Sequence, residues 1–184
     1  MKRKIKILFL GCFLYSLTIY CEPKDDLLEA VRDGNLPRLK SLISKAKLSL
    51  DFTDTREMTP LMIAATDNNV EIVKLLTEAG ADINKKNPEN GKTALMYAAS
   101  NGHSDVVKVL SAFKTILLNA KDKEGKTALM HSVINGRKEV AQLLIENNAN
   151  VNARTNTDES ALSYALKTGR VEIITLLKTS GARE

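Results

Sequence analysis

The side chains that could carry out chemistry are few and lie far apart in the sequence. The chain holds two histidines, His103 and His131, and two cysteines, Cys12 and Cys21. His131 has no serine, cysteine or carboxylate at catalytic spacing along the chain. No glycine-rich phosphate loop, nucleophile elbow or HExxH zinc motif occurs either. This inventory predicts no catalytic residue, no metal site and no cofactor.

Two pairs of adjacent carboxylates also stand out. Asp25 is followed by Asp26, and Asp158 by Glu159, and we interpret both pairs as solvated surface. Both cysteines lie near the N-terminus, so the rest of the chain can form neither a disulfide nor a cysteine-based metal site. Reactive residues therefore say less about function here than the organisation of the chain does.

The elements that would position these residues repeat with a fixed period. Similar heptapeptides begin at Thr59, Thr93, Thr127 and Ser160, in steps of 34, 34 and 33 residues. A period of this size is typical of stacked supersecondary units and argues against one globular core. Such stacks present surface to partners and rarely carry out reactions.

Each unit is predicted to hold two short antiparallel helices. In the second unit, apolar residues at helical spacing are Leu61, Ala64 and Ala65, and then Ile72, Val73, Leu75 and Leu76. The turn between the helices carries a residue that tolerates positive φ, namely Asn68, Gly102, Gly136 or Gly169. Gly80 or Asn148 is expected to end the second helix, and a polar finger leads to the next unit.

These segments resemble the ankyrin repeat. The heptapeptide at Thr59, the segment 70–76 and the Gly-Ala-Asp-Ile-Asn segment 80–84 look like its TPLH, V-x-x-LL and GADVN segments. The resemblance covers residues 25–184 and implies an all-α solenoid of helix-turn-helix units with hairpin-like fingers. The five expected units are 25–53, 54–87, 88–121, 122–154 and 155–184. It also implies a structural role for His103, which follows the glycine between the helices.

Three departures from the family pattern are visible. Met62, Met96 and Met130 stand where the family usually has histidine, and we expect packing by flexible methionine to replace the polar network of that histidine. The third unit lacks a GADVN segment at 114–119, so its second helix is expected either to end differently or to run on. Pro88 opens a finger that contains an extra residue.

The N-terminal leader predicts where the protein works. A basic start is followed by the uncharged stretch 7–20, which has 14 residues. As a helix this stretch would be about 21 Å long, short of the roughly 30 Å hydrocarbon core of a membrane. We therefore predict a signal peptide over 1–20, a short linker over 21–24, and export of everything that follows.

Cys21 ends the apolar stretch and resembles the cleavage site of a bacterial lipoprotein, where the cysteine becomes the lipidated first residue. Leu17 stands four residues before it, where the usual pattern has leucine three before, and Tyr20 is bulky at the adjoining position. Ordinary cleavage after Thr18 and an uncleaved anchor are the alternatives. The resemblance implies a bacterial protein in the periplasm or cell envelope, with a lipid anchor in a membrane.

The net charge of +5 belongs mostly to the leader. Residues 1–20 hold four basic residues and no acid, so the remaining 23 basic and 22 acidic residues give a net charge of +1. A nucleic-acid-binding domain would need a basic patch on its mature part. We therefore expect no nucleic-acid partner, and we expect a monomer.

The ankyrin resemblance implies protein binding through the finger tips and the exposed side of the first helices. Carried over by position, the finger residues are Arg56, Met58, Asn90, Lys92, Lys123, Lys126, Asn156 and Thr157. The helix residues are Thr66, Asp67, Ser100, Asn101, Ile134, Asn135, Lys167 and Thr168. The two middle fingers are richer in lysine than the outer ones, which favours a partner with an acidic element.

The predicted function is thus a non-catalytic scaffold or regulator that binds another protein outside the cytoplasm. An inhibitor or immunity-type protein that blocks an enzyme or binds a host protein is the main alternative. An enzyme with an unrecognised site and a purely structural envelope protein are further alternatives. A neighbouring hydrolase or toxin gene would favour the inhibitor, and turnover by the purified repeats would favour the enzyme.

Overall fold

A computed structural model describes residues 23–45 and 49–183 of the chain. These residues form ten helices, with no strand beyond an isolated bridge between Arg154 and Ser160. The helices are α1 (Pro23–Arg32), α2 (Leu36–Lys45), α3 (Pro60–Thr66), α4 (Val70–Glu78), α5 (Ala94–Asn101), α6 (Ser104–Ser111), α7 (Ala128–Ile134), α8 (Lys138–Glu146), α9 (Ala161–Lys167) and α10 (Val171–Thr179). The predicted signal peptide 1–20 and Cys21 lie outside the described residues.

Consecutive helices pack in pairs, and the five pairs stack on one another. The odd-numbered helices contact each other in sequence and form the first-helix row, while the even-numbered helices form the second-helix row. This arrangement confirms the predicted all-α repeat solenoid. The first pair begins at Pro23, so α1 includes the last two residues of the predicted linker.

Small and sulfur-containing side chains let the first-helix row pack closely. Ala64, Ala65 and their counterparts in α5 are fully buried, and Met62, Met96 and Met130 are each 1% exposed or less. The methionines thus pack in the core, as expected for the position where the family has histidine. The sulfur of Met62 also lies 3.5 Å from the backbone nitrogen of Thr59. Burial of each of these methionine side chains stabilises the fold by roughly 1.5–3 kcal/mol, because apolar area is removed from water.

The first helices of the second to fifth units each begin at a hydroxyl cap. The side chains of Thr59, Thr93, Thr127 and Ser160 accept a hydrogen bond from the backbone N–H three residues later, at 3.1–3.4 Å. Such a cap satisfies one of the free N–H groups at the helix start and stabilises the helix by about 1 kcal/mol. The repeated threonine therefore marks where each helix starts.

The turns follow the sequence prediction closely. Asn68, Gly102, Gly136 and Gly169 all adopt positive φ between the two helices of their units, from 57° to 87°. Gly80 and Asn148 also have positive φ, at 91° and 68°, just after α4 and α8. The backbone must reverse sharply at these positions, and glycine or asparagine does so at little steric cost.

The third unit ends its second helix early. Helix α6 stops at Ser111, and no residue from 112 to 119 adopts positive φ. Of the two outcomes predicted for this unit, the helix therefore ends differently and does not run on. The following segment leaves Leu117 60% exposed, beside a surface depression of about 530 Å³ lined by Ser111, Ile116 and Asn148 among others.

Polar side chains join neighbouring units at the base of the fingers. The Asn84 side chain accepts from the Leu117 N–H and donates to the Thr115 carbonyl, both at 2.8 Å. The equivalent acceptors are Asp51 for the N–H of Asp82, Asn119 for that of Asn150, and Asn152 for that of Arg183. Each unit is thus tied to the next by the same kind of bond, at intervals of 31–33 residues.

A second series of bonds joins the units at the turns between helices. His103 Nε2 lies 2.9 Å from the Thr66 carbonyl, so this histidine has the structural contact that the family resemblance implied. Arg137 and Arg170 stand at the same position in the next two units. They donate to the carbonyls of Ser100 and Ile134, at 3.2 and 3.1 Å.

Candidate functional site

Each finger is shaped by one polar side chain at the start of its turn. Asp54, Asn87, Asp122 and Thr155 each accept hydrogen bonds from two backbone N–H groups farther along the same finger. In the finger of Asn87 the closing backbone bond spans five residues, to Lys92, whereas it spans four from Asp122 to Lys126. This difference confirms the extra residue predicted next to Pro88.

The fingers are also bonded to one another through their backbones. The N–H of Lys123 donates to the carbonyl of Asn90, and that of Asn156 donates to the carbonyl of Glu124. Lys86 and Lys121, two of the lysines that make the middle fingers basic, donate to carbonyls of the next finger at 2.6 and 2.7 Å. The fingers therefore form a continuous edge along the stack.

Three side-chain bonds connect the fingers to the first-helix row. Asn90 donates to the hydroxyl of Tyr97 at 2.9 Å, His131 Nε2 contacts Asp122 at 2.8 Å, and Tyr164 donates to Glu159 at 2.6 Å. Tyr97, His131 and Tyr164 occupy the same position of α5, α7 and α9, four residues after the capping hydroxyl. We call the surface formed by these three bonded pairs the finger-helix face.

The middle pair of the finger-helix face is buried. The side chains of His131 and Asp122 are 7% and 2% exposed. An ionised carboxylate can only accept hydrogen bonds. The Nε2 of the neutral imidazole therefore carries the ring hydrogen, and its N–H donates to Asp122. Burial lowers the pKa of His131, and the nearby charge of Lys92 lowers it further, although the bond to Asp122 acts in the opposite direction.

The contact between His131 and Asp122 was not predicted, because no carboxylate stands at catalytic spacing from this histidine in the sequence. The two residues meet because the finger folds back onto α7. The neighbouring hydroxyl of Ser132 donates to the Leu129 carbonyl, and within the described residues no serine or cysteine side chain bonds to His131. The pair therefore has the geometry of a structural link rather than of a catalytic triad.

The pair in the fifth unit is part of a small charged cluster. Glu159 accepts from Lys167 and from Tyr164, and the bond from Lys167 is the main cause of its lowered pKa. Burial, together with the Glu159 carboxylate, raises the pKa of Tyr164 to about 12. Asp158 is exposed at the tip of the finger, whereas Glu159 is partly exposed and bonded to its neighbours.

Lysines lie over the two tyrosine rings. Lys92 Nζ is 5.8 Å from the Tyr97 ring centre, and Lys126 and Lys167 are 6.0 and 5.9 Å from that of Tyr164. At this distance an ammonium group is attracted to the ring face. The tyrosines, which the sequence analysis did not single out, therefore help to position three of the predicted binding residues. Their signal in the sequence is an aromatic ring at a fixed distance from the capping threonine or serine.

The predicted binding residues fall into separate groups in the structure. Asn90, Lys92, Lys126 and Lys167 lie together on the finger-helix face. Thr66, Ser100 and Ile134 lie at the far ends of their helices, where their carbonyls accept from the next unit, and Asn101 donates to the Thr66 carbonyl. Arg56, Lys123, Asn156 and Thr157 are exposed on the fingers, whereas Asp67, Asn135 and Thr168 are exposed just after the far ends of the first helices.

Met58 does not lie on this surface. Its side chain is 7% exposed and belongs to the hydrophobic core, because the finger turns it toward the first-helix row. In the part of the chain that the structure describes, no group of three or more His, Cys, Asp or Glu side chains lies close enough to hold a metal ion. No helix of that part is both long and apolar enough to cross a membrane.

Comparison with known proteins agrees with the geometry. A family model described as ankyrin repeats (three copies) matches residues 27–121 and 111–183. The chain is 33% identical over 67 residues to palmitoyltransferase AKR1 of Gibberella zeae, a match that covers 36% of this chain and 9% of the relative. It is 35% identical over 66 residues to alpha-latrocrustotoxin-Lt1a of Latrodectus tredecimguttatus, covering 36% of this chain and 5% of the toxin.

These relatives are much longer than the matched segment. Palmitoyltransferase akr1 of Neurospora crassa, for example, is 31% identical over 72 residues, which is 39% of this chain and 10% of that protein. The chain therefore spans a tenth or less of the relatives it matches here. The names palmitoyltransferase and toxin describe those whole proteins and not the matched segment alone.

Proposed function

Because the chain belongs to the ankyrin-repeat family, we propose that it is a non-catalytic scaffold or regulator that binds another protein outside the cytoplasm, tethered to the cell envelope through Cys21. The observation that carries the binding role is the finger-helix face. Its side chains are already held in place by finger-to-helix bonds, so binding costs less conformational entropy than it would for a mobile surface. Tyrosine is also enriched among the residues that dominate binding energy at protein interfaces.

The same face favours binding over catalysis. His131 is fixed by Asp122, Glu159 is fixed by Tyr164 and Lys167, and within the described residues no serine or cysteine side chain bonds to either group. An inhibitor that blocks the site of an enzyme would use the same surface and is a special case of this proposal.

Site-specific photo-crosslinking in the cells that make the protein tests the binding role. A benzophenone amino acid at Lys123, an exposed finger residue directly after Asp122 of the finger-helix face, should crosslink a discrete envelope protein. The matched control is Lys108 on α6, an exposed lysine of the second-helix row. Crosslinking at Lys123 that disappears when unlabelled wild-type protein competes, and that is absent at Lys108, is the expected result. Equal products at both positions, or none at Lys123, would rule out a binding role for this face.

The proposed tether is supported by the leader sequence and by the position of Cys21, and intact mass spectrometry tests it. The protein from the native membrane fraction should begin at Cys21 and carry an added acyl mass. A Cys21→Ala variant should lose that mass and leave the membrane fraction. A chain cleaved after Thr18 without lipid would instead identify a soluble exported adaptor, and its partner would then be sought among diffusible proteins.

A further inference from the structure

Lys92 differs from the other basic residues of the finger-helix face in its ionic partners. Lys126 pairs with Glu124 at 2.5 Å, and Lys167 pairs with Glu159. Within residues 23–45 and 49–183, no carboxylate lies within 4 Å of Lys92 Nζ, although its side chain is half-buried. A lysine without an ionic partner in its own chain is available to pair with an acidic group of a ligand.

The position of Lys92 is fixed by its neighbours. Its backbone N–H donates to the Asn90 side chain at 2.8 Å, and the same side chain donates to the Tyr97 hydroxyl. The Tyr97 ring in turn lies 5.8 Å from the ammonium group. The lysine is therefore held at the junction of the third and fourth units, with the imidazole of His131 near enough to sense its charge.

The surrounding helices add no competing acid. Helices α3, α5, α7 and α9 contain no aspartate or glutamate, and Lys167 is their one formally charged residue. On the fingers, Asp122, Glu124 and Glu159 already bond to protein groups, and Glu89, on the same finger as Lys92, forms no ion pair with it. An incoming negative charge thus meets a cation without an ionic partner, beside helices α3, α5, α7 and α9, which carry no acid.

We propose that Lys92 anchors an aspartate or glutamate side chain of the bound protein, with the Tyr97 ring beside it as the apolar wall of the contact. The inference rests on the proposed binding function and names the chemistry that the partner must present. A carboxylate would neutralise Lys92, whereas a basic residue would be repelled by it. The contact therefore contributes to choice of partner as well as to affinity.

Selection of displayed linear peptides on the full chain tests this proposal. Peptides selected on the wild-type protein should share an aspartate or glutamate at a fixed position. Lys92→Gln should weaken their binding by about two- to fivefold. Lys92→Glu should weaken it further and should itself select peptides with lysine or arginine at that position.

Lys85→Glu is the matched control, because it reverses an exposed charge on the same finger and should leave the selection unchanged. Circular dichroism of each variant checks that the helices are intact. Selection of the same acidic peptides by Lys92→Glu would overturn the anchor while leaving the binding function in place. A wild-type protein that selects no peptide and captures no envelope protein would overturn both. Binding of anionic phospholipid vesicles through Lys92, without any acidic peptide, would replace the protein partner by a lipid surface.

Discussion

At the scale of single residues, one position gives each unit its individual surface. The fourth residue after the capping hydroxyl is Ile63 in the second unit and Tyr97, His131 and Tyr164 in the next three. The isoleucine is buried and apolar, while the three rings bond to their fingers. The finger-helix face therefore begins at the third unit, although the repeat itself begins earlier.

His131 should make stability depend on pH. Its pKa in the folded protein is below the ordinary value of 6.5, so the unfolded chain takes up a proton first as the pH falls. The stabilisation is complete above about pH 6.5 and is lost as the pH falls from there toward the folded pKa. Urea unfolding at pH 7.5 and 5.5 measures the loss. His131→Gln, which can still donate to Asp122 but does not titrate, should reduce it, and an unchanged loss would contradict this account.

Two glycines at the same position in successive units should respond differently to alanine. Gly136 and Gly169 have φ of 68° and 65°, so either substitution strains the backbone by about 1 kcal/mol. A Cβ at Gly136 would also overlap the Arg170 guanidinium, whereas nothing lies within 4 Å of one at Gly169. Gly136→Ala should therefore cost about 1 kcal/mol more, through the lost bond to the Ile134 carbonyl.

Chemical denaturation measures this difference, and a double variant isolates its cause. In the background of Arg170→Ala, the two alanine substitutions should destabilise the protein equally. A difference that persists without the arginine side chain would show that the Arg170 contact is not its source.

At the scale of the elements, the repeated signals were sufficient to predict the helices and their turns. Capping threonines, apolar spacing and turn residues tolerant of positive φ all act locally, so they can be recognised in the sequence. The end of α6 could not be predicted, because Leu117 and Leu118 suit either a longer helix or an irregular segment. Tertiary packing decided that outcome, and the helix ended at Ser111.

The segment that follows α6 should be the weak joint of the stack. It lacks the positive-φ cap of α4, α8 and α10, leaves Leu117 exposed and borders a depression. Native-state hydrogen exchange should show faster exchange for amides 112–118 than for the equivalent segments 78–84 and 146–152. Slower exchange in 112–118 than in those two segments would exclude a weak joint.

At the scale of the whole molecule, neighbouring units bond through side chains about one period apart. This geometry explains why the finger-helix face was only partly predicted. The positions of Lys92 and Lys126 followed from the family pattern, but their ionic partners depend on how each finger folds over its own helix. The contact between His131 and Asp122, and the lack of a carboxylate near Lys92 among the described residues, therefore depend on the folded stack and could not be predicted from the sequence.

The helices of the fifth unit should be less stable than those of the second and third units. The fifth unit leaves Val171 72% exposed and Leu166 41% exposed, so its helices bury less of their apolar surface. Native-state hydrogen exchange in low denaturant should show that α9 and α10 open before α3 and α5. Simultaneous opening of all four helices would mean that the stack unfolds as a single cooperative block.

The inter-unit bonds also bear on how such a chain can change length over generations. The hexapeptide 91–96 is identical to 125–130, and each copy leads from a finger into a first helix. A recombination that joins one copy to the other would remove or add one period. The sequence at the junction would be unchanged, so each finger would still lead into a first helix. Each copy carries one lysine, Lys92 or Lys126, so the number of finger lysines would change by one with each such event. The bonds between neighbouring units would be kept.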